Sequence, residues 1–470
     1  MTIYLDRLNS IVWGAPALVL ILVVGLYLSF RLGFVQLTLL PAALRAFFQE
    51  LFRKPSCQNG TSGFQALCTA LAGTVGTGNL VGVAGAICLG GPGAIFWMWL
   101  CGILGMATKL AEVVLAVRYR EISAQGPVGG PMYVISRGLG SHWRWLASFY
   151  SLCGVIAAFG VGNAAQINAV VTSVGRVMAL GGRQADFSTN LGIGLLLAVL
   201  IGRLLLGGAK KIGDAAQRLV PITAAVYILL CVWALLCRAD KIPEALQSIV
   251  TGAFAPRAVT GGMLGSTFQA LRVGCSRGVF TNEAGMGTAS IAHASANVSH
   301  PVQQGLMGIV EVFLDTIVIC SLTALVILVS DVPISYGIDV GAELTVQAFE
   351  AVYGKWSSVF LAVALSSFGV ATVLGWGLYG ARCADFLFGP GAWKKFAVLQ
   401  TLTVVLSSVL DTGTVWQISE IMNGLMAIPN LIALGMLTPE VVYLTKEYRK
   451  SGVNGASGGK YENFYQCKSL

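Results

Sequence analysis

The stretch that decides the fold is Gly73-Thr74-Val75-Gly76-Thr77-Gly78-Asn79, inside a long apolar run from residue 64 to residue 89. A run of that length is enough to cross a bilayer as a helix. Its glycines, threonines and asparagine disfavour a continuous helix at this point. In hydrocarbon, unwound backbone is tolerated only where it is buried in protein or lines a cavity. We therefore expect a broken membrane helix whose released N–H and C=O groups bind a polar solute or a cation.

The composition is that of a polytopic membrane protein surrounded by lipid. Of the 470 residues, 56% are hydrophobic and 11% are charged, whereas a soluble domain is about 25% charged. The net charge of +9 is dispersed over short loops, so we expect no nucleic-acid partner, and no obligate protein partner is evident. The eleven scattered cysteines include no C-x-x-C pair, which favours small, reduced, buried side chains.

Eleven apolar runs predict an all-α fold with about eleven transmembrane helices. Their expected bounds are 11–30, 64–89, 94–117, 146–174, 191–206, 219–237, 262–294, 305–329, 357–380, 396–410 and 414–444. Most of the 30 Lys and Arg residues fall on the side that holds the C-terminus. We expect a multi-pass protein of the plasma (cell inner) membrane, and the positive-inside rule predicts that its N-terminus lies outside and its C-terminus is cytoplasmic.

The two most interrupted spans are 64–89 and 262–294, and each leads a group of five spans. The second is broken at Phe280-Thr281-Asn282-Glu283-Ala284-Gly285-Met286-Gly287. Glycine-interrupted segments at corresponding positions of two halves indicate an inverted-repeat transporter and its binding site. The alternative is that both breaks are close-packing points between helices. The expected units are 1–62 (N-terminal span and cytoplasmic connection), 63–238 (first five-helix repeat), 239–444 (second repeat with an outer loop) and 445–470 (flexible cytoplasmic tail).

At these residues the chain resembles the alanine/glycine:cation symporters, also called the sodium:alanine symporter family. The stretches that carry the resemblance are GTVGTGNLVGVAGAICLGGPGAIFWMW (73–99), LGMATKLAEVVLAVRYR (104–120), GGPMY (129–133), GVGNAAQINAV (160–170), RGVFTNEAGMGTASIAHASA (277–296), DTIVICSLTALVIL (315–328) and GWGLYG (375–380). The resemblance covers roughly residues 61–444 and implies a LeuT-type fold of five plus five inverted spans, with span 11–30 as an extra. It also implies alternating-access symport of alanine or glycine driven by sodium.

The resemblance implies a set of binding residues. For the amino acid they are Thr77, Gly78, Asn79, Gln166, Phe280, Thr281 and Trp376. Unwound N–H groups near residues 77–79 suit a carboxylate, and carbonyls at residues 280–281 with the amide oxygen of Gln166 suit an ammonium group. Phe280 and Trp376 would set the size of the side-chain pocket.

For sodium, the coupling ion, the implied ligands are the carbonyls of Ala72, Val75 and Phe368 and the hydroxyl of Thr372. No other cofactor is expected. The family usually has two adjacent hydroxyl residues where this chain has Ala371-Thr372, so one hydroxyl is missing.

Ionisable residues within spans are costly in a membrane and are candidates for function. Lys109 and Glu112 are three positions apart, so they can pair on one helix face. Arg272 and Arg277 flank the second break, where they either gate the path or hold Glu283.

For Glu311 and Asp315 there are two alternatives: they form a proton or cation relay, or each is buried against a basic neighbour. The role of Glu420 is open. We expect His142, His293 and His300 to be loop or interface residues, because they show no clustering typical of a metal site.

Two other classes of function compete with a symporter. A channel would need a pore ring rather than two different broken helices. A membrane enzyme would need a nucleophile, a metal or an acid–base set, and the sequence offers none, so we do not expect an enzyme. Among transporters, proton coupling through Glu283, Glu311 or Asp315 competes with sodium coupling.

Overall fold

The structure, a computed structural model, describes residues 2–52, 61–123, 126–254, 267–338 and 341–451. Its helices are α1 (Thr2–Val12), α2 (Ala15–Arg31), α3 (Val35–Thr38), α4 (Leu40–Leu51), α5 (Gly63–Thr74), α6 (Val83–Gly90), α7 (Gly93–Arg118), α8 (Pro131–Tyr133), α9 (Arg144–Phe159), α10 (Ala165–Leu180), α11 (Phe187–Leu205), α12 (Gly208–Cys237), α13 (Ile242–Phe254), α14 (Thr267–Asn282), α15 (Thr288–His293), α16 (Pro301–Val312), α17 (Ser321–Val329), α18 (Ala342–Tyr353), α19 (Ser357–Phe388), α20 (Ala392–Val409) and α21 (Gly413–Lys450).

Shorter elements complete the description. Strands β1 (Glu121–Ser123) and β2 (Gly126–Val128) pair antiparallel. Four π-helical stretches occur at Gly78–Gly82, Val134–Gly138, Gly160–Ala164 and Phe313–Cys320, and 3-10 turns at Ser141–Trp143 and Ala239–Lys241. The stretch Gly160–Ala164 joins α9 to α10 in one long helix, and the stretch Phe313–Cys320 joins α16 to α17 in another.

Among the described residues, eight helices are long and apolar enough to cross a membrane, or nine if the bent pair of α5 and Gly78–Gly90 is one span. The all-α membrane fold is therefore confirmed, whereas the count of eleven is not. Two of the eleven predicted spans are missing from this count. One is the broken pair of helices α14 and α15, and the other is α20, in which Lys394 and Lys395 lower the mean hydropathy.

Several predicted loops are helical in the structure. The basic segment between two predicted spans, 207–218, is helical from Gly208 onward as the first part of α12, and the outer segment 238–261 contains α13. The acidic connection after span 305–329 contains α18. These helices are short or polar at one end, so a search for apolar runs misses them.

The start of the predicted flexible tail, residues 445–450, is helical, because α21 continues to Lys450. Thr445 Oγ1 donates to the carbonyl of Val441 at 2.8 Å, and Tyr448 packs on the ring of His300. Most of the tail, Cys57, Cys467 and the start of span 262–294 lie outside the described residues. The division into two five-helix repeats stays a prediction.

The packing places broken helices among continuous ones. α7 packs against α14 and α16, and α19 packs against α5, α9, α10 and α12. The N-terminal helices pack on the outside of this core, α1 against α21 and α2 against α7 and α21. The first broken span contacts α19 through α5, and it contacts both parts of the second broken span, α15 through α5 and α14 through α6.

Local chemistry sets the start of the first broken helix. Ser62 Oγ accepts from the Gln65 amide at 3.0 Å, and Gln65 Oε1 accepts from the Ser62 amide at 3.1 Å. This reciprocal capping satisfies two of the donors that a helix N-terminus leaves free.

In the connection that follows α17, Lys241 donates to the Asp331 carboxylate, and the guanidinium group of Arg238 lies 3.3 Å from the same carboxylate. They hold the pKa of the Asp331 carboxyl below its ordinary value.

Candidate functional site

The first break opens at the end of α5. The helix stops at Thr74, and Val75 has a ψ of 97°, which is extended rather than helical. The amide of Gly76 donates to Asn79 Oδ1 at 2.9 Å. α5 and Gly78–Gly90 are bent by 51° at this break. The predicted interruption is confirmed, and carbonyls in the last turn of α5 are released from the helical ladder.

Three predicted side chains converge on Gly76. Thr77 Oγ1 donates to Gln166 Oε1 at 3.1 Å. A Cβ added to Gly76 would lie 2.7 Å from Thr372 Oγ1 and 3.7 Å from Gln166 Oε1. Thr372 Oγ1 donates to the carbonyl of Phe368 at 2.9 Å. Thr77 of the break itself, Gln166 of α10 and Thr372 of α19 are far apart in sequence and thus surround one stretch of unwound backbone.

The predicted cation ligands lie where α5 meets α19. A Cβ added to Gly375 would lie 3.2 Å from the carbonyl carbon of Ala72, so glycine lets the two backbones approach here. The predicted ligands Ala72, Val75, Phe368 and Thr372 are all buried. Carbonyl and hydroxyl oxygens are what a hard monovalent cation needs, so this donor set fits sodium. Ligation itself stays a prediction.

The second break follows α14, which ends at Asn282. Glu283, Gly285 and Gly287 have φ angles of 53°, 97° and 77°, all in the left-handed region. Left-handed backbone is strained for a non-glycine residue such as Glu283, and strain of this kind clusters at functional sites. The helix resumes only at Thr288. The interruption predicted within 280–287 is confirmed over residues 283–287.

Gly78 of the first break meets the last turn of α14, which leads into the second break; Phe280 and Thr281 are therefore helical and not part of the interruption. A Cβ added to Gly78 would lie 3.4 Å from Thr281 Cγ2 and 3.9 Å from Phe280 Cδ1. The half-buried ring of Phe280 lies between Trp13 and Trp416, with centroid distances of 6.5 and 5.8 Å. Predicted substrate residues of the first break and of α14 are therefore in contact with one another.

Trp376 is held by the second break. Its Nε1 donates to Glu283 Oε1 at 3.1 Å, and Thr288 Oγ1 donates to Glu283 Oε2 at 2.5 Å. The hypothesis that Arg272 or Arg277 holds Glu283 is therefore wrong. The left-handed turn directs the Glu283 carboxylate toward α15 and α19 instead of back along α14.

Glu112 holds the backbone of the second break. Its Oε1 accepts from the amides of Gly285 at 2.8 Å and Gly287 at 3.1 Å, and from Asn430 Nδ2 at 2.7 Å. Lys109 and Glu112 do not form the expected pair. The Glu112 carboxylate instead accepts hydrogen bonds from the N–H groups that the break releases. The sequence gives no signal for this contact, which depends on how α7 packs against the break.

Lys109 pairs instead with Glu311, with 3.4 Å between Nζ and Oε1. His293 Nε2 lies 2.9 Å from Glu311 Oε2, and Gln304 Nε2 lies 2.7 Å from His293 Nδ1 and donates to the carbonyl of Gly63 at 3.1 Å. The placing of His293 in a loop or interface is wrong, since it is fully buried in this network. Gln304 and Glu311 are seven positions apart on one face of α16, a spacing that could have indicated the network.

Asp315 joins the two breaks. Its Oδ1 accepts from Asn79 Nδ2 at 2.6 Å and its Oδ2 from Thr316 Oγ1 at 2.9 Å. Thr316 Oγ1 in turn accepts from Asn282 Nδ2 at 3.1 Å. Burial against a basic neighbour therefore holds for Glu311, whereas Asp315 is buried among neutral polar groups of both breaks.

Three comparisons relate the chain to known proteins. A family model described as the sodium:alanine symporter family matches residues 1–462. The sodium/alanine symporter AgcS of Methanococcus maripaludis is 39% identical over 461 residues, covering 96% of this chain and 98% of that protein. The probable sodium/glutamine symporter GlnT of Bacillus subtilis is 36% identical and covers 97% and 92%.

A solved structure shows the same fold. The crystal structure of MhsT in complex with L-phenylalanine matches with a TM-score of 0.57 at 13% identity, covering 83% of this chain and 99% of that one. This likeness shows the LeuT-type fold.

Proposed function

This chain belongs to the sodium:alanine symporter family, and from that premise we propose that it carries sodium and a small neutral amino acid, alanine or glycine, in the same direction by alternating access. The chain is a transporter and not an enzyme. The observation that carries the proposal is the convergence of Thr77, Gln166 and Thr372 on the unwound backbone at Gly76.

The amino acid would bind between the two breaks. Its carboxylate would accept from the N–H groups of Thr77, Gly78 and Asn79, where a half-helix begins and its dipole favours negative charge. Its ammonium group would donate to Gln166 Oε1 and to carbonyls near Thr281. The contact of Gly78 with Phe280 and Thr281 supports this placement, because it brings both groups of ligands within the span of a small molecule.

Sodium would bind between α5 and α19 as the coupling ion. Its ligands would be the carbonyls of Ala72, Val75 and Phe368 and the hydroxyl of Thr372. The hydroxyl now donates to Phe368, and on binding it would turn its oxygen toward the ion. With Ala371 beside it, Thr372 offers the single hydroxyl at this point of α19.

The direct test is uptake by protein reconstituted in liposomes. We expect inward sodium gradients to drive accumulation of alanine or glycine, with glutamine included because one relative is named for it. A proton gradient without sodium tests the competing coupling through the buried carboxylates Glu283, Glu311 and Asp315. Absence of gradient-driven uptake of every small neutral amino acid would overturn the proposal.

Two variants test the site map. Gln166→Ala should weaken amino-acid affinity, and Thr372→Ala should raise the sodium concentration for half-maximal uptake, each about tenfold, equivalent to about 1.4 kcal/mol of lost binding. Thr372→Ser keeps the hydroxyl and should retain wild-type sodium dependence. Asn168→Ala, an exposed position on the same helix as Gln166, is the matched control. If uptake by both test variants equals that of the controls, the assignment of these residues is wrong.

A further inference from the structure

Glu283 keeps a long polar side chain at a position where the backbone favours glycine. Its φ angle is 53°, and the other left-handed residues of the second break, at positions 285 and 287, are both glycine. A non-glycine residue in this region is strained, and the strain persists only where surrounding contacts hold it. Glu283 is also only 3% exposed, although a buried carboxylate is costly in a membrane protein. These two costs indicate that the side chain itself has a function.

The Glu283 carboxylate holds the indole ring of Trp376. Its Oε1 accepts from Trp376 Nε1 at 3.1 Å, and its Oε2 accepts from Thr288 Oγ1. Thr288 is the first residue of α15, so the carboxylate joins the resumed helix to the ring. Trp376 and Thr288 are themselves fully buried. An indole N–H that lost its acceptor here would be a buried unsatisfied donor, and the ring would move to regain an acceptor.

Other contacts confine the indole without engaging its N–H group. A Cβ added to Gly162 would lie 2.3 Å from Trp376 Cβ, so the base of the side chain packs directly on backbone. The ring of Tyr379 meets the indole edge-on, with the two ring centroids 5.7 Å apart. Packing of this kind limits the space for the ring, whereas a hydrogen bond also sets its direction. The orientation of the indole within this space therefore depends on Glu283.

Trp376 lies one helical turn from a residue of the proposed site. Thr372 is four positions earlier on α19, and residues four apart share one face of a helix. Gly162, on which Trp376 packs, is four positions before Gln166 in the long helix that contains α10. Both helices therefore place the indole next to the space in which the side chain of the amino acid would lie.

We propose that Glu283 is a positioning residue for amino-acid selectivity: by holding the Trp376 indole through Nε1, it limits the length of the side chain that the site accepts. This inference rests on the proposed function, because the indole limits selectivity only if the amino acid binds between the breaks. It differs from the coupling alternative, in which Glu283 would carry a proton. Positioning needs an acceptor oxygen, whereas proton carriage needs a titratable carboxyl group. Glutamine supplies the first without the second.

Uptake of a homologous series in liposomes with an inward sodium gradient tests the inference. Alanine, 2-aminobutyrate and norvaline differ by one methylene group at each step. We expect wild-type protein to prefer alanine, and Glu283→Gly to raise the uptake efficiency of norvaline relative to alanine about tenfold, the effect of about one methylene group in a close-fitting pocket. The KM for alanine should rise about threefold, as for the loss of one net hydrogen bond, with the maximal rate within about twofold of wild type.

Two variants at position 283 remove the carboxylate without straining the backbone. Glycine adopts a left-handed φ angle freely, and asparagine tolerates it better than most residues. Asparagine is one carbon shorter than glutamine and should not reach the indole, so Glu283→Asn should relax selectivity as Glu283→Gly does. Glu283→Gln is the matched control, because its amide oxygen can accept from Trp376 Nε1. It should retain wild-type selectivity and sodium-driven uptake.

A double-mutant cycle tests whether Glu283 acts through Trp376. Trp376→Phe removes the indole donor and should itself admit longer side chains. In that background Glu283→Gly should change selectivity no further, because the effects of two residues that act through one contact are not additive.

Three outcomes would overturn the positioning role in a wild-type protein that transports alanine, and would leave the proposed function intact. One is unchanged selectivity in both the glycine and the asparagine variant. Another is an equal effect of Glu283→Gly with and without Trp376→Phe. The third is a glutamine variant that no longer transports alanine, since the charge rather than the hydrogen bond would then be required. Wild-type protein that transports no neutral amino acid would instead count against the proposed function.

Discussion

At the scale of the residue, the site depends on the absence of a side chain at Gly76. The added Cβ would stand 2.7 Å from Thr372 Oγ1, closer than real Cβ contacts come. The Thr372 hydroxyl is also engaged with Phe368, so it cannot turn away without losing a hydrogen bond. Gly76 is therefore required by close approach rather than by an unusual φ angle.

Gly76→Ala tests this requirement. We expect the sodium concentration for half-maximal uptake to rise at least about tenfold, because the methyl group displaces the Thr372 hydroxyl from the proposed cation site. Sodium titration of alanine uptake in liposomes measures the effect. Gly82→Ala is the matched control in the same broken span, since its Cβ would meet Thr281 Cγ2 at an ordinary 3.8 Å. Equal sodium dependence of the two variants would contradict this role of Gly76.

At the scale of the element, two continuous helices hold the broken ones. α7 contributes Glu112 to the backbone of the second break. The long helix formed by α16 and α17 contributes Asp315, which reaches Asn79 of the first break directly and Asn282 of the second through Thr316. Unwound backbone in a membrane needs such partners, because lipid supplies none. The breaks are thus stable local structures rather than loosely folded gaps.

Glu112→Ala should destabilise the protein, because three buried donors lose their common acceptor. Each unsatisfied donor costs about 1–3 kcal/mol, so we expect a loss of about 3 kcal/mol or more. Thermal unfolding in detergent measures the change. Glu112→Gln can keep a carbonyl oxygen at the Oε1 position and should unfold close to wild type. An alanine variant as stable as the glutamine variant would show that the three bonds do not hold the break.

At the scale of the whole molecule, the N-terminal helices are an addition to the predicted pair of five-helix repeats. α1 packs against α21 and α2 packs against α7 and α21, and Trp13, directly after α1, contacts Phe280 in the last turn of α14. In the orientation that the positive-inside rule predicts, the N-terminus lies outside, and the cavity of about 330 Å³ between α1, α14 and α21 would open to the outside of the membrane. The orientation therefore decides from which side the amino acid first meets the protein.

Cys237 offers a test of this orientation with the native sequence. Among the nine described cysteines it is the exposed one, and it ends α12 on the side predicted to face out. A membrane-impermeant maleimide should therefore label the protein on intact cells, and Cys237→Ser should remove this labelling. Labelling of Cys237 only after permeabilisation would indicate the opposite orientation.

The amino-acid sequence by itself determined the membrane class, the two broken helices and the stretches 73–79 and 280–287 within which they break. Apolar length and the preferences of glycine and asparagine are local properties, so they can be seen in the order of residues alone. The resemblance of these stretches to one family added Gln166 and Thr372, which the structure brings to Gly76.

Only the tertiary structure decided the partners of the buried charges. Lys109 pairs with Glu311 rather than with its helix neighbour Glu112, and Glu283 bonds to Trp376 rather than to an arginine. In a medium without water, each buried charge must find its donors or acceptors within the protein. Which ones it finds depends on how distant helices pack. The donors to Glu112 are backbone N–H groups of the second break. These N–H groups are available as donors only because the helix is broken there.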